Sequence, residues 1–332
     1  MRKISINQGW DPRTIEPWLE RARIFDESGG HTIWINEGFG HDAFTGLAIL
    51  ARETSHVRLG TAVVNVYSRT AGTLAQSFAT IDQLSGGRAT AGLGASGNQL
   101  IERFHGMPFQ PAITRVRETA ELIQAFWSQE RVEFEGRTMQ AHRFKLGVEP
   151  VQPKIPIFLA TLHPEAVRMT AEVADGWLPT MIPLSRLAAE VSKLRSHAEA
   201  AGRGSANLTI QAPSAVTVVE NKEAASTARR QAATQLAFFV ARNGDFYYRQ
   251  FQRQGFPDEA EAIRRAWVED GPQAAAAILS EKLVGEFNFV GTVNQCMERL
   301  DAQAEAGVGL HGVSIPEQDP VAFGRIVERL AG

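Results

Sequence analysis

Glu37, His41 and Glu102 are the side chains whose positions best suit a catalytic role in this 332-residue chain. Glu37 directly follows the apolar run Thr32–Asn36, and His41 lies further along the same loop. Glu102 lies in the loop after the run Arg88–Gly94. A carboxylate or imidazole on a loop at a strand end is where general acid–base groups sit in α/β proteins. Asn65 closes another apolar run, Leu59–Asn65, and its amide offers both a donor and an acceptor to the edge of a heteroaromatic ring. Gly92, Gly94 and Gly97 spell G-x-G-x-x-G after a strand. In a dinucleotide fold that spelling opens the crossover helix directly, whereas Pro108 and Pro111 intervene here before the next helix. The glycines are therefore read as a strand end that lets a flat molecule approach the backbone.

Other chemistries fail on spacing. The histidines at 31, 41, 56, 105, 142, 163, 197 and 311 give no H-E-x-x-H and no close His/Cys pair, so no metal site is expected. His41-Asp42 is the one neighbouring His/acid pair in this region, and Asp42 is needed as a helix cap. Ser85-Gly86-Gly87 lacks the flanking pattern of a nucleophile elbow and reads as a helix stop.

The elements that must position these residues alternate strand and helix. Strands are expected near residues 4, 33, 60, 90, 157, 178, 214 and 313. Helices are expected at Pro17–Ser28, from Asp42 to Thr54, from Gly72 to Leu84, and at Ile113–Trp127, Pro164–Ala174, Leu184–Ala201 and Val293–Ala306. Val132–Gly136 and Thr138–Phe144 read as an added hairpin. Eight alternating units favour a (β/α)8 TIM barrel, one domain over 1–332, rather than an open sheet. The stretch 222–287 is helix-rich and off the common spacing, so it is read as a helical insertion after strand seven, over the barrel mouth or at a subunit contact.

Bulk properties narrow the partners. A net charge of −3 argues against a nucleic-acid or anionic-membrane surface. Cys296 is the single cysteine and has no internal disulfide partner. No apolar stretch approaches the roughly 18 residues of a membrane helix, and Ile4–Asn7 is too short for a signal-peptide core. A cytoplasmic protein acting on a small molecule, with no nucleic-acid or membrane partner, is the expectation.

The run from Arg58 to Gly97 resembles the corresponding region of the luciferase-like flavin/deazaflavin oxidoreductase superfamily. It is most similar to the methylenetetrahydromethanopterin reductase-like branch, which uses the deazaflavin coenzyme F420. Supporting motifs are Trp34–Glu37 with Asp42–Thr45, Phe104–Phe109, Pro156–Ala160, Ala174–Pro179, Asp245–Tyr247, Gly291-Thr292 and Glu305–Val308. The resemblance implies a TIM barrel with the tricyclic ring at the carboxyl ends of the strands, and a homodimer. It implies a non-proline cis peptide at Ala62–Val63, with Val63 and Val64 against the ring and Asn65 beside it. The acid after strand two falls on Glu37, the contacts after strand four on Ala95, Ser96 and Gly97, and Asn7 ends strand one in the same cofactor site. The phosphate turn falls on Thr161, Leu162 and His163, opening a helix at Pro164-Glu165-Ala166, where free N–H groups and the dipole favour an anion. Leu162-His163 replaces the paired glycines common at this turn. The sugar-phosphate dehydrogenase members carry an Asp-His pair and a glutamate where this chain has Glu37-Gly38 and Gly97-Asn98, so that activity is not expected.

The resemblance thus implies an F420-dependent oxidoreductase that transfers a hydride between deazaflavin C5 and an organic substrate. Glu37 is expected to orient or polarise the ring, and His41 or Glu102 to deliver a proton. An FMN-dependent two-component monooxygenase is the alternative, since one fold hosts both chemistries. A flavin-binding barrel without turnover is the third reading. An aromatic group at Phe238, Phe239, Phe246, Tyr247 and Tyr248 suggests either an apolar substrate wall or helix packing.

Overall fold

Short apolar strands and amphipathic helices alternate along the chain and close into a ring. The computed structural model describes residues 1–332. The barrel strands are β1 (Ile4–Asn7), β2 (Thr32–Ile35), β3 (Arg58–Thr61), β4 (Ala89–Gly94), β5 (Ile157–Ala160), β6 (Gly176–Trp177), β7 (Thr209–Ile210) and β8 (His311–Ser314). Each pairs in parallel with the next from β1 to β7, and β8 pairs with β1. Closure lies between β7 and β8. Gly309 and Leu310 N–H both donate to Ile210 O, at 2.9 and 3.1 Å, and Ala212 N–H donates to Leu310 O at 2.8 Å. The expected eight-stranded barrel is thereby complete.

Two strands are interrupted. After a bulge at Ala62-Val63, β3 resumes as Val64–Asn65 and pairs with β4, setting Asn65 opposite Gly94. Beyond β7, Val216–Val218 pairs both with β8 and with a short strand, Val290–Gly291, that the sequence reading lacks. The helices are α1 (Ile15–Glu27), α2 (Ala43–Glu53), α3 (Ala71–Ser85), α4 (Ala112–Trp127), α5 (Pro164–Val173) and α6 (Leu184–Ala200). Then come α7 (Lys222–Arg242), α8 (Gly244–Arg253), α9 (Pro257–Glu269), α10 (Pro272–Ala277), α11 (Glu281–Phe287), α12 (Val293–Glu305) and α13 (Pro320–Ala331). The sequence reading also lacks α13, although Asp319 caps it by accepting from Ala322 N–H at 2.7 Å, ahead of a proline that suits the first turn. No helix is long and apolar enough to cross a membrane.

The barrel core divides in two. A large apolar layer between strands and helices includes Ile33, Leu47, Leu74, Phe78 and Ile123. Inside the ring, Trp34, Phe158, Leu178 and Leu310 form a separate buried cluster. Gly60 makes room for Trp34, whose ring lies 2.4 Å from where a Cβ would stand. The helices α7 to α11 surround their own apolar cluster, with Leu236, Val240, Phe251 and Phe287 at its centre. Met181, in the loop after β6, belongs to that cluster and ties it to the barrel mouth. Val132–Glu135 and Gln140–Phe144 form the expected antiparallel hairpin.

Candidate functional site at the barrel mouth

Three neighbouring strands end in small side chains on the inner side of the ring. Asn65 pairs with Gly94 and Gly94 with Ala160, so the three lie in register across the mouth. Ala62, Val63 and Ala160 pack on the interior Trp34 and Phe158 cluster. The result is a shallow apolar floor over β3, β4 and β5. The Ala62–Val63 peptide is cis, as the resemblance implies.

The glycines of this floor serve a different purpose from the one expected. A Cβ on Gly92 would stand 1.6 Å from Thr61 O, and one on Gly94 would stand 2.9 Å from Val63 Cγ2. The Thr61 hydroxyl donates to Gly92 O at 2.6 Å and accepts from Gly92 N–H at 3.1 Å. Gly92 and Gly94 therefore admit the bulge of β3, not an incoming ligand. Only Gly97 of the three faces open space.

Asn65 stands at the rim of the floor and is 1 % exposed. Its Oδ1 accepts from Tyr67 N–H at 2.9 Å and Ser68 N–H at 2.7 Å, which turns the chain after the strand. Its Nδ2 is buried and has no partner. A buried donor without a partner calls for an acceptor such as a carbonyl. Val64 departs from expectation. Strand alternation places it in register with Leu93, fully buried in the layer beneath the helices, so its side chain does not reach the mouth.

Glu37 is committed to an ion pair and a helix start. Arg69 grips both its oxygens, with Nη1 on Oε1 and Nη2 on Oε2, and Nη2 also meets Asp42. Glu37 Oε2 further accepts from Ala43 N–H at 2.9 Å, at the start of α2. The side chains of Glu37 and Arg69 are 10 % and 20 % exposed. Burial opposes the charge on Arg69, but the bonds to Glu37 and Asp42 outweigh it and raise its pKa. Burial likewise raises the Asp42 carboxyl, yet its bonds to Thr45 and the Arg69 charge leave it below the ordinary range. Glu37 N–H donates to Val63 O at 3.3 Å, joining the loop after β2 to the bulge. Arg69 is absent from the predicted site, although it follows Asn65 in the same turn.

The remaining predicted residues scatter around this centre. His41 is exposed and packs on Trp10, with ring centroids 5.2 Å apart. Glu102 is exposed on a single wide helical turn, Leu100–Phe104, and forms no hydrogen bond or ion pair. Ala95 packs on the main core, and exposed Ser96 adopts φ 61°, which points the chain outward before Gly97 O accepts from Leu100 and Ile101 N–H. The Thr161 hydroxyl is spent on Thr170 at 2.7 Å, and Leu162 and Ala166 are buried, so none of these three side chains is open to an anion. His163 and Glu165 are exposed at the start of α5. Glu165 already places a negative charge on that helix dipole and opposes a second one.

Asn7 belongs to the other side of the mouth. With Gln8, Ser314 and Ile315 it lines a cavity of about 540 Å³ that runs from the ends of β1 and β8 beneath α7 and α11. The same end of the barrel thus carries an apolar floor over β3 to β5 and, on the β1 and β8 side, a cavity of mixed polarity, with the size and lining of a small-molecule site.

Known proteins resemble this chain in sequence and fold. A Mycobacterium tuberculosis protein, provisionally named a coenzyme F420-dependent oxidoreductase, is 26% identical and covers 96% of each chain. The 5,10-methylenetetrahydromethanopterin reductase of Methanolobus tindarius is 26% identical over 86% of each chain. Among solved structures, the coenzyme F420-dependent tetrahydromethanopterin reductase of Methanopyrus kandleri superposes with a TM-score of 0.82 at 21% identity, covering 99% of this chain and 96% of its own. The luciferase-like monooxygenase family matches residues 6–309, and the chain belongs to that family.

Proposed function

We propose that the protein is an oxidoreductase dependent on the deazaflavin coenzyme F420 and acting on a small organic molecule. The observation that carries this reading is the unpaired Nδ2 of buried Asn65 at the rim of the small-residue floor. It is a preformed donor for a ring carbonyl, and the floor beside it admits a planar group. The relatives named above support deazaflavin over FMN.

Asn65 and the Ala62-Val63 segment would hold the ring, and Ser96 and Gly97 would border it. Bound there, the deazaflavin supplies two-electron hydride chemistry. The chain's own residues position and protonate. Glu37 acts as a positioning residue, since Arg69 fixes it and it fixes the loop against Val63. With Glu37 so committed, proton delivery falls to His41 or Glu102, both open to solvent. The same reading carries a cytoplasmic homodimer, and light scattering on a sizing column checks the assembly.

Fluorescence-quenching titration of the purified protein with coenzyme F420 and with FMN tests the proposal. Tight deazaflavin binding and weak FMN binding are expected. FMN binding of equal or greater strength would overturn it.

A further inference from the structure

Arg21 is the only charged side chain among the 18 residues lining the cavity beneath α7 and α11. No carboxylate bonds to it. Its Nη1 donates to Glu317 O at 2.9 Å and its Nη2 donates to Ile315 O. The Glu317 carboxylate is turned away, accepting from Gln318 and Asp319 N–H at 2.8 and 2.9 Å. One face of the guanidinium lies on Phe323, its carbon 3.8 Å from the ring centroid. Burial lowers the Arg21 pKa, and the Glu317 charge offsets this only in part. The cation is thus fixed in orientation, partly desolvated and short of a counter-charge. A guanidinium carries five N–H groups, so donors remain for an anion.

Gln8 supplies a second, independent observation. It lines the same cavity and is 7 % exposed. Its Nε2 donates to Trp18 O at 2.8 Å, which fixes the amide orientation because a carbonyl demands a donor. Its Oε1 is then a buried acceptor without a partner. Such an atom calls for an O–H or N–H donor. Leu236, Phe239 and Phe287 supply an apolar wall.

We propose that this cavity binds the organic substrate as a carboxylic acid, its carboxylate on Arg21, a hydroxyl or amino group on Gln8 Oε1, and an apolar body against Phe239 and Phe287. A single cation with no second basic side chain suits a monoanionic carboxylate better than a phosphate dianion. The cavity volume is in the range of small-molecule sites. This inference names the substrate class for the proposed oxidoreductase and rests on that reading.

Isothermal titration of the cofactor-free protein with 3-phenyllactate, the neutral 3-phenyllactamide and the hydroxyl-free 3-phenylpropionate tests it. The acid should bind at least about tenfold more tightly than the amide, since a charge-assisted pair is at stake, and more tightly than phenylpropionate. Arg21→Gln should erase the difference between acid and amide, and Arg21→Lys should keep part of it. Should Arg21→Gln fail to fold, Ser314→Phe tests the same pocket by filling it from an exposed strand end, and should abolish binding of the acid. Equal affinity for acid and amide, no binding of the acid at millimolar concentration, or full binding by Ser314→Phe would each overturn the inference. A protein that binds phenyllactate but not coenzyme F420 sinks the cofactor reading alone. One that binds coenzyme F420 but not the acid sinks only this inference.

Discussion

Arg69 and Glu37 meet fork to fork, both guanidinium Nη atoms on both carboxylate oxygens, and Arg69 reaches Asp42 with the same Nη2. One side chain thereby clamps the loop after β2, the cap of α2 and the loop after β3. The planar fork is what permits this, and an ammonium has no equivalent geometry. Arg69→Lys should lower stability by about 1.5–3 kcal/mol, the scale of charged hydrogen bonds. It should also weaken deazaflavin binding, because the Val63 bulge loses its support. Urea unfolding and a deazaflavin titration read the two effects, and an unchanged affinity would refute the positioning role.

Gly92 packs its backbone against Thr61, with no room for even a methyl group. Gly92→Ala should therefore force β3 and β4 apart. Overpacking of this kind typically costs about 1–3 kcal/mol, and backbone against backbone belongs at or above the upper end. Thermal unfolding checks it. Gly97→Ala, in open space, should leave stability nearly unchanged, and similar losses at both positions would contradict the assignment.

These two glycines show where the sequence is legible and where it is not. The barrel could be read because strand and helix patterns alternate with turn residues, and each pattern is local. The motif of Gly92, Gly94 and Gly97 misled because spacing cannot tell a glycine that admits a ligand from one that admits a neighbouring strand. Asn65 was identifiable from its place at a strand end, but its split role depends on which backbone groups the turn presents to Oδ1. Glu37 was found and its partner was not, since the pairing with Arg69 spans 32 residues and two loops. Arg21 and Gln8 carry no motif at all, and only the packing of α1 against the end of β8 brings them to one cavity.

His311 gives the fold an acid limit. It is 4 % exposed, and burial, aided by the Arg2 charge and opposed by Asp301, lowers its pKa from 6.5 to about 4. The unfolded chain takes up a proton as pH falls through 6.5, whereas the folded chain resists until about 4. Protonation thus favours unfolding, so this contribution is complete above pH 6.5 and is lost as pH falls towards 4. Urea unfolding at pH 7 and at pH 4.5 should differ by about 2–3 kcal/mol from this group. His311→Gln should show a shallower fall, and an identical profile would exclude the buried imidazole as its source.

The proposed function assigns proton delivery to His41 or Glu102. Both are exposed, so His41→Gln and Glu102→Gln should change stability by less than about 0.5 kcal/mol. Loss of the working group should lower kcat by about 10²-fold or more with little change in KM. Steady-state kinetics on both variants identifies it. Two variants with full kcat would move proton delivery elsewhere.

The free amide donor of Asn65 carries the proposed cofactor site. Asn65→Asp keeps the oxygen that accepts from Tyr67 and Ser68 N–H, and so keeps the turn, but removes the donor. Titration of coenzyme F420 into the wild type and this variant, with thermal unfolding alongside, is the most direct measurement. A melting temperature lowered by the buried carboxylate, but a folded variant whose deazaflavin affinity is reduced by about tenfold or more, is the predicted result. Unchanged deazaflavin affinity in the variant would contradict the account.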